Sequence, residues 1–160
     1  MKLFLTIVIT CLVFSSCQEN KTQSAKQHET ETSKHISEKP VLVSNQWMRP
    51  GSKNRNTAAF MSITNNMEVD DTLYSVESNL AKVVELHESY EKENDMMGMR
   101  HVDFIVIPSK STVELKPGSF HIMLIGLNND LVKGNEGILI ANFKKNGKVE
   151  LPLSVRTVGK

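Results

Sequence analysis

From residue 41 onward, the sequence is a series of short apolar or alternating runs separated by turn-forming residues. No run has a clear enough helical period, over a useful length, to predict a helix. The separators are rich in glycine, proline and asparagine, which end strands and favour turns. This pattern predicts an all-β domain, either an antiparallel β-sandwich or a Greek-key barrel. The predicted strands are 41–47, 57–64, 72–76, 82–87, 101–107, 111–115, 119–127, 137–143 and 149–158.

The first residues have the composition of an export signal. A single lysine precedes an apolar stretch, 3–14, which is too short to span a bilayer as a permanent helix. Ser15 and Ser16 stand immediately before Cys17, as in bacterial lipoprotein signals. We therefore expect residues 1–16 to be a cleaved signal peptide and Cys17 to become the lipid-carrying N-terminus. Ordinary secretion without a lipid is the alternative.

A polar segment, 18–39, follows the signal and has almost no apolar side chains. Such a composition cannot offset the entropy lost on ordering, so we expect a flexible tether. Its two histidines, His28 and His35, are predicted to be solvated tail residues, with metal capture as the alternative. The folded domain is expected at 40–160, which at ~120 residues can bury about two-thirds of its unfolded surface.

Charge and cysteine content exclude several classes of function. The 19 lysine and arginine residues nearly balance the 18 aspartate and glutamate residues, and no basic stripe is interleaved with aromatics, so nucleic acid is not an expected partner. Cys11 lies within the signal and Cys17 at its end, which leaves the domain without a thiol. This excludes a blue-copper thiolate site. No nucleophile elbow, phosphate loop or Ser/His/Asp arrangement is present, so we do not expect an enzyme.

The run at 119–127 places unusual side chains together. Phe120, Ile122 and Leu124 alternate onto one strand face, whereas His121 and Met123 share the opposite face. If the apolar face packs into the core, the imidazole and the thioether are expected on the outside. The run at 82–87 repeats this arrangement, because its terminal histidine also falls on the less apolar face.

Two imidazoles and two thioethers therefore form the candidate metal site, namely His87, Met99, His121 and Met123. Thioethers are soft neutral donors that bind Cu(I) well and bind zinc, magnesium or calcium poorly, and imidazole strengthens such a site. Four neutral donors leave the charge of the ion uncompensated, which favours the lower oxidation state. The donor set predicts one Cu(I) ion in a roughly tetrahedral shell.

The neighbouring residues have less specific interpretations. Met96 and Met97 are predicted to share a glycine-containing loop with Met99, where they either cap the core or hold copper transiently. His101 is predicted to begin a strand and to be structural or solvent-facing. Because methionine usually fills gaps in cores, a metal-free role for all of these methionines is the competing interpretation.

The ligand spacing resembles that of a known family. Eleven residues separate His87 from Met99, twenty-one separate Met99 from His121, and one separates His121 from Met123. This pattern is similar to that of the PCuAC family of periplasmic copper chaperones. The likeness extends from about Val41 to Val158 and includes WMRP at 47–50, ELHE at 85–88, MMGMR at 96–100, LKPGSFHIML at 115–124 and the turn at 126–134.

The resemblance implies a cupredoxin-like β-sandwich that holds copper near its surface through these four residues. It also implies delivery of Cu(I) on the periplasmic side of the envelope to another exported protein, either the copper centre of a respiratory oxidase or its assembly factor. Three alternatives remain from the sequence alone. They are a copper storage or resistance protein, a metal-free interaction sandwich, and a hydrolytic zinc site that uses Glu85, His87, Glu88 and His121.

Overall fold

Alternation of inward and outward side chains along the apolar runs produces a domain built of β-strands. The computed structural model describes residues 39–157, and the predicted signal peptide, Cys17 and the tether lie outside that range. The strands are β1 Val41–Met48, β2 Thr57–Asn65, β3 Asp71–Glu77, β4 Ala81–Glu91, β5 Met97–His101, β6 Ile105–Ile107, β7 Thr112–Leu115, β8 Phe120–Leu127, β9 Glu136–Phe143 and β10 Gly147–Val155. A 3-10 turn, Glu93–Asp95, precedes β5. The all-β prediction is confirmed.

The strands form one hydrogen-bonded sheet that folds over as an open sandwich. Its order is β5-β4-β8-β2-β1-β10-β9-β3-β6, and β7 pairs with β2. The two edge strands, β5 and β6, do not pair with each other, so the sheet is not closed. Of the two predicted architectures, the β-sandwich is therefore confirmed and the closed barrel is wrong. All pairings are antiparallel except β1 with β10, which run parallel. A fully antiparallel sheet was expected, so this pair corrects the prediction.

The core lies between the two halves of the sandwich and is made of alternate residues from most strands. Met48 and Met61 are almost fully buried, so two of the methionines do fill the core. Burial of this kind supplies the main stabilising free energy of the fold. The largest fully buried side chains also include Phe143, Ile63, Leu73, Ile105, Ile107, Leu115, Ile122, Leu124, Leu127 and Leu139.

Most strand bounds differ from the prediction by one or two residues, and β4 continues to Glu91 instead of ending at residue 87. Residues 97–100, expected in a loop, form β5 together with His101, and the predicted run 101–107 divides into the end of β5 and the short β6. The last strand ends at Val155 and not at residue 158. Within residues 39–157, no helix has the length and apolar character needed to cross a membrane.

Candidate metal centre

Three neighbouring strands bring the candidate ligands together. β4 lies between β5 and β8, and His87 on β4 is directly opposite both His121 on β8 and His101 on β5. Residues in direct cross-strand register project from the same face of the sheet. The ring centroids of His87 and His121 are 5.9 Å apart, and those of His87 and His101 are 6.1 Å apart. A row of three imidazoles therefore crosses this face.

The side chains of β8 alternate between the core and the outer face of the sheet, as the sequence indicates. Ile122 and Leu124 are 0% exposed in the core, and His121 and Met123 project from the opposite face. The expectation that His121 lies exposed on the outside is wrong, since this residue is only 4% exposed. The Phe60 ring, with its centroid 6.4 Å from that of His121, contributes to the cover. The imidazole is thus on the outer face of the sheet but beneath other side chains.

The two candidate methionines approach His121 from different strands. Met99 projects from β5, and its Sδ lies 3.1 Å from Nε2 of His121. Met123 is opposite Ala58 of β2 on one side and Glu85 of β4 on the other. Both methionines and His121 line one open pocket with a volume of about 350 Å³. Met99 is 59% exposed, so core filling does not explain its position.

Hydrogen bonding determines which nitrogen of His121 is free. Nδ1 lies 2.9 Å from the carbonyl oxygen of Ser119, and because a carbonyl only accepts, Nδ1 carries the proton. Burial is the largest influence on the pKa of His121 and lowers it; the Ser119 carbonyl raises it, and the charges of His87 and Arg49 lower it further. In the neutral ring, Nε2 and the Met99 sulfur therefore present lone pairs to the same space. A soft cation between them would satisfy both donors.

His87 has a comparable arrangement with a different acceptor. Its Nε2 lies 2.8 Å from Oε2 of Glu85. Its Nδ1 is buried and, within the described part of the chain, has no hydrogen-bond partner. The sequence suggests for Glu85 only a role as a zinc ligand, and this contact with His87 was not predicted. The available signal was the spacing of two residues, which places both side chains on one face of a strand.

A cationic and aromatic wall borders the pocket. The Arg49 guanidinium lies 5.2 Å from the centroid of the Phe60 ring, and the Trp47 ring packs against Phe60 at a centroid distance of 4.6 Å, with the two ring planes tilted by 36°. A register shift between Ser44 and Trp47 in β1 brings Trp47 opposite Phe60. Trp47 and Arg49 belong to the WMRP segment of the family likeness, but their position beside Phe60 and the pocket was not predicted, because it depends on the pairing of β1, β2 and β8.

The remaining candidates are separate from this pocket. His101 ends β5 instead of beginning a strand; it is exposed, as expected, with Nδ1 3.8 Å from Oδ1 of Asp103. Met96 and Met97 are 58% and 60% exposed, so the proposed core-capping role is wrong. Glu88 turns to the other face of β4 and pairs with Arg100 at 2.6 Å.

The donor set of this pocket suits a soft ion better than a hard one. Among residues 39–157, no group of three or more histidine, cysteine, aspartate or glutamate side chains is arranged to hold a metal ion. A hydrolytic zinc site needs such a group, usually with three protein ligands and an open position. The pocket does contain thioether sulfur, a soft donor that suits Cu(I) better than zinc.

Comparison with known proteins identifies similar domains. A family model described as "Putative lipoprotein LpqE-like" matches residues 41–155. A curated relative from Leifsonia xyli subsp. xyli, "Putative lipoprotein Lxx21020", is 31% identical over 96 residues, which are 60% of this chain and 57% of that protein. The match thus spans little more than half of the relative's length.

Solved structures show the same fold. The copper-bound PCuAC domain from PmoF2 aligns with a TM-score of 0.62 at 21% identity, over 74% of this chain and 94% of that domain. The Cu(I) form of DR1885 from Deinococcus radiodurans aligns with a TM-score of 0.56 at 25% identity, over 71% of this chain and 78% of that protein. The predicted cupredoxin-like β-sandwich is confirmed. Because the family model covers most of the described strands, the chain belongs to the LpqE-like family, which is the PCuAC-type family.

Proposed function

We propose that this protein is an exported copper chaperone that binds one Cu(I) ion through His87, Met99, His121 and Met123. The observation that carries the proposal is the 3.1 Å approach of the Met99 sulfur to the unprotonated Nε2 of His121. Met123 lines the same pocket. The His87 ring, on the neighbouring strand β4, has its centroid 5.9 Å from that of His121. The copper-bound PmoF2 domain and the Cu(I) form of DR1885, which share this fold, support the choice of metal.

The surroundings of these donors suit transfer of the ion. Met99 is exposed on β5, an edge strand, and the pocket opens to solvent, whereas His121 is buried beneath it. An acceptor would therefore meet the Met99 thioether first and replace the donors one at a time. Neutral ligands assist this exchange, because no ligand atom carries a negative charge that would hold the cation strongly. The pathway involves ligand exchange only, so we propose a carrier and not an enzyme.

The cellular setting follows from the family and from the N-terminal sequence. Membership of the LpqE-like family and the lipoprotein relative support an exported lipoprotein. We propose that Cys17 carries the lipid and holds the domain on the periplasmic side of the envelope. By family resemblance, the acceptor is the copper centre of a respiratory oxidase or its assembly factor.

A competition titration with a Cu(I) chelator under anaerobic conditions tests the site. We expect one tight equivalent for the wild type and a large loss of affinity in Met99→Ala and in Met123→Ala. Met97→Ala is the matched control, because Met97 is equally exposed and lies two residues from Met99 on the same face of β5. Weak binding by the wild type, or equal binding by all variants, would mean that the methionines have no role in copper binding.

Release kinetics separate delivery from storage, which uses the same ligands. The exposed Met99 predicts rapid transfer of Cu(I) to an apo acceptor or a small chelator. Release that stays slow in the presence of a strong acceptor would favour the storage or resistance alternative. The metal-free interaction sandwich predicts that His121→Ala and Met123→Ala leave copper uptake unchanged.

A further inference from the structure

We infer that Glu85 is a positioning residue for copper, which holds the His87 ring so that Nδ1 is the atom presented to the ion. This inference rests on the proposed Cu(I) site and assigns a role to a residue outside its ligand set. Glu85 lies two residues before His87 on the same face of β4. It is also directly opposite Met123 in the strand register.

The hydrogen bond between the two side chains fixes the tautomer of His87. Oε2 of Glu85 lies 2.8 Å from Nε2 of His87, and a carboxylate only accepts. Nε2 therefore carries the ring proton. In a neutral imidazole the other nitrogen, Nδ1, then has a free lone pair.

The environment of Nδ1 is consistent with binding of a cation by this lone pair. Nδ1 of His87 is buried and has no hydrogen-bond partner among the described residues. A buried acceptor left unsatisfied lowers stability, and such groups in native proteins usually have a functional reason. A bound cation would satisfy it. Because the ring of His87 lies next to that of His121, the same ion can reach both imidazoles.

His121 reaches the equivalent state through the opposite nitrogen. Its Nδ1 donates to the Ser119 carbonyl, which leaves Nε2 facing Met99. The two histidines are thus oriented by different acceptors, a backbone carbonyl for His121 and a carboxylate for His87. Acceptors behind ligating histidines fix ring orientation and raise the basicity of the ligating atom. Of these two acceptors, only the Glu85 carboxylate can be removed by substitution, because the Ser119 carbonyl belongs to the backbone.

Charge gives Glu85 a second effect on the bound ion. The four proposed ligands are neutral, so Cu(I) would retain its full positive charge within the site. The Glu85 carboxylate, whose side chain is 34% exposed, lies one hydrogen bond away from the ligand ring. Its negative charge favours the cation without the carboxylate entering the coordination shell.

The first test uses the metal-free protein. Nitrogen-15 chemical shifts of the purified protein at neutral pH are expected to show His87 as the Nε2–H tautomer. In Glu85→Ala this preference is expected to weaken or reverse. A wild type with the proton on Nδ1, or a variant with an unchanged tautomer, would overturn the inference without any reference to copper.

The second test measures Cu(I) affinity. Glu85→Ala is expected to bind about 10- to 100-fold more weakly than the wild type, as is typical when an acceptor behind a metal ligand is removed. Glu85→Gln keeps an oxygen acceptor but loses the charge, so its affinity should be intermediate. Glu88→Ala is the matched control, since Glu88 is on the same strand and faces the other way.

The outcomes are distinguishable from failure of the proposed function. Unchanged affinity in Glu85→Ala, or an equal loss in Glu88→Ala, would overturn the role of Glu85 while the copper site stands. If the wild type binds no Cu(I), the proposed function fails and the copper part of the inference fails with it. The tautomer measurement then still decides whether Glu85 orients the ring.

Discussion

At the scale of single residues, His121 shows how a candidate metal ligand is kept in its neutral form. The strand phase correctly predicts that it shares a face with Met123 and opposes Ile122. Its burial was not predictable, because the covering side chains, Phe60 and Met99, come from distant parts of the sequence. Burial disfavours the imidazolium, so the ring stays neutral and its Nε2 lone pair stays free over a wider pH range.

The lowered pKa of His121 predicts that acid destabilises the metal-free protein. Below the ordinary histidine value of 6.5, the unfolded chain takes up a proton that the folded state resists. Stability from this residue is therefore complete above about pH 6.5 and is lost as the pH falls through the lowered folded pKa. Denaturant unfolding of the wild type at a series of pH values should show this loss.

Two variants decide whether His121 is the source of that pH dependence. His121→Gln should unfold with a smaller loss of stability between neutral and mildly acidic pH. His101→Gln, which alters an exposed imidazole in the same row, should behave as the wild type does. Equal pH dependence in the wild type and His121→Gln would show that the burial of His121 does not govern acid stability.

At the scale of elements, β5 is the main departure from the sequence analysis. Methionine and glycine are weak strand signals, so the sequence predicts a loop at residues 97–100. Pairing with β4 from His87 to Glu91 overrides that weak preference. The pairing also places Met99 opposite Ser89, so the backbone of an edge strand, and not a loop, positions this candidate ligand.

Gly98 makes that pairing possible by leaving room for an aromatic ring. A Cβ at Gly98 would lie 2.7 Å from Cζ of Tyr90, the residue directly opposite, and 2.6 Å from Cε of Lys92. Tyr90 also lies under the guanidinium of Arg100, 5.3 Å from the ring centroid. A larger residue must displace this ring, and the displacement would disturb the strand that carries Met99.

We therefore expect Gly98→Ala to cost about 1 kcal/mol of stability through overpacking. Its Cu(I) affinity should also fall, but by less than in Met99→Ala, because every proposed ligand is still present. Thermal unfolding and the chelator titration measure the two effects. In a Tyr90→Ala background, which removes the obstructing ring, Gly98→Ala should cost less. The same cost in both backgrounds would rule out the packing explanation.

At the scale of the whole molecule, the sheet order brings the candidate ligands onto neighbouring strands. His87, Met99 and the His121–Met123 pair are separated in sequence but lie on β4, β5 and β8, which are adjacent. Alternation and turn residues predict the all-β sandwich, because both patterns are local. The strand order, the parallel β1–β10 pair and the cover of His121 depend on long-range pairing, which local patterns do not encode.

We propose that two imidazoles and two thioethers from these strands bind one Cu(I) ion. X-ray absorption at the copper edge of the protein loaded with one equivalent of Cu(I) tests it most directly, because sulfur and nitrogen scatter differently. We predict two nitrogen and two sulfur neighbours in the wild type and the loss of one sulfur in Met99→Ala. A shell of nitrogen and oxygen alone, or one unchanged in Met99→Ala, would contradict the proposed site.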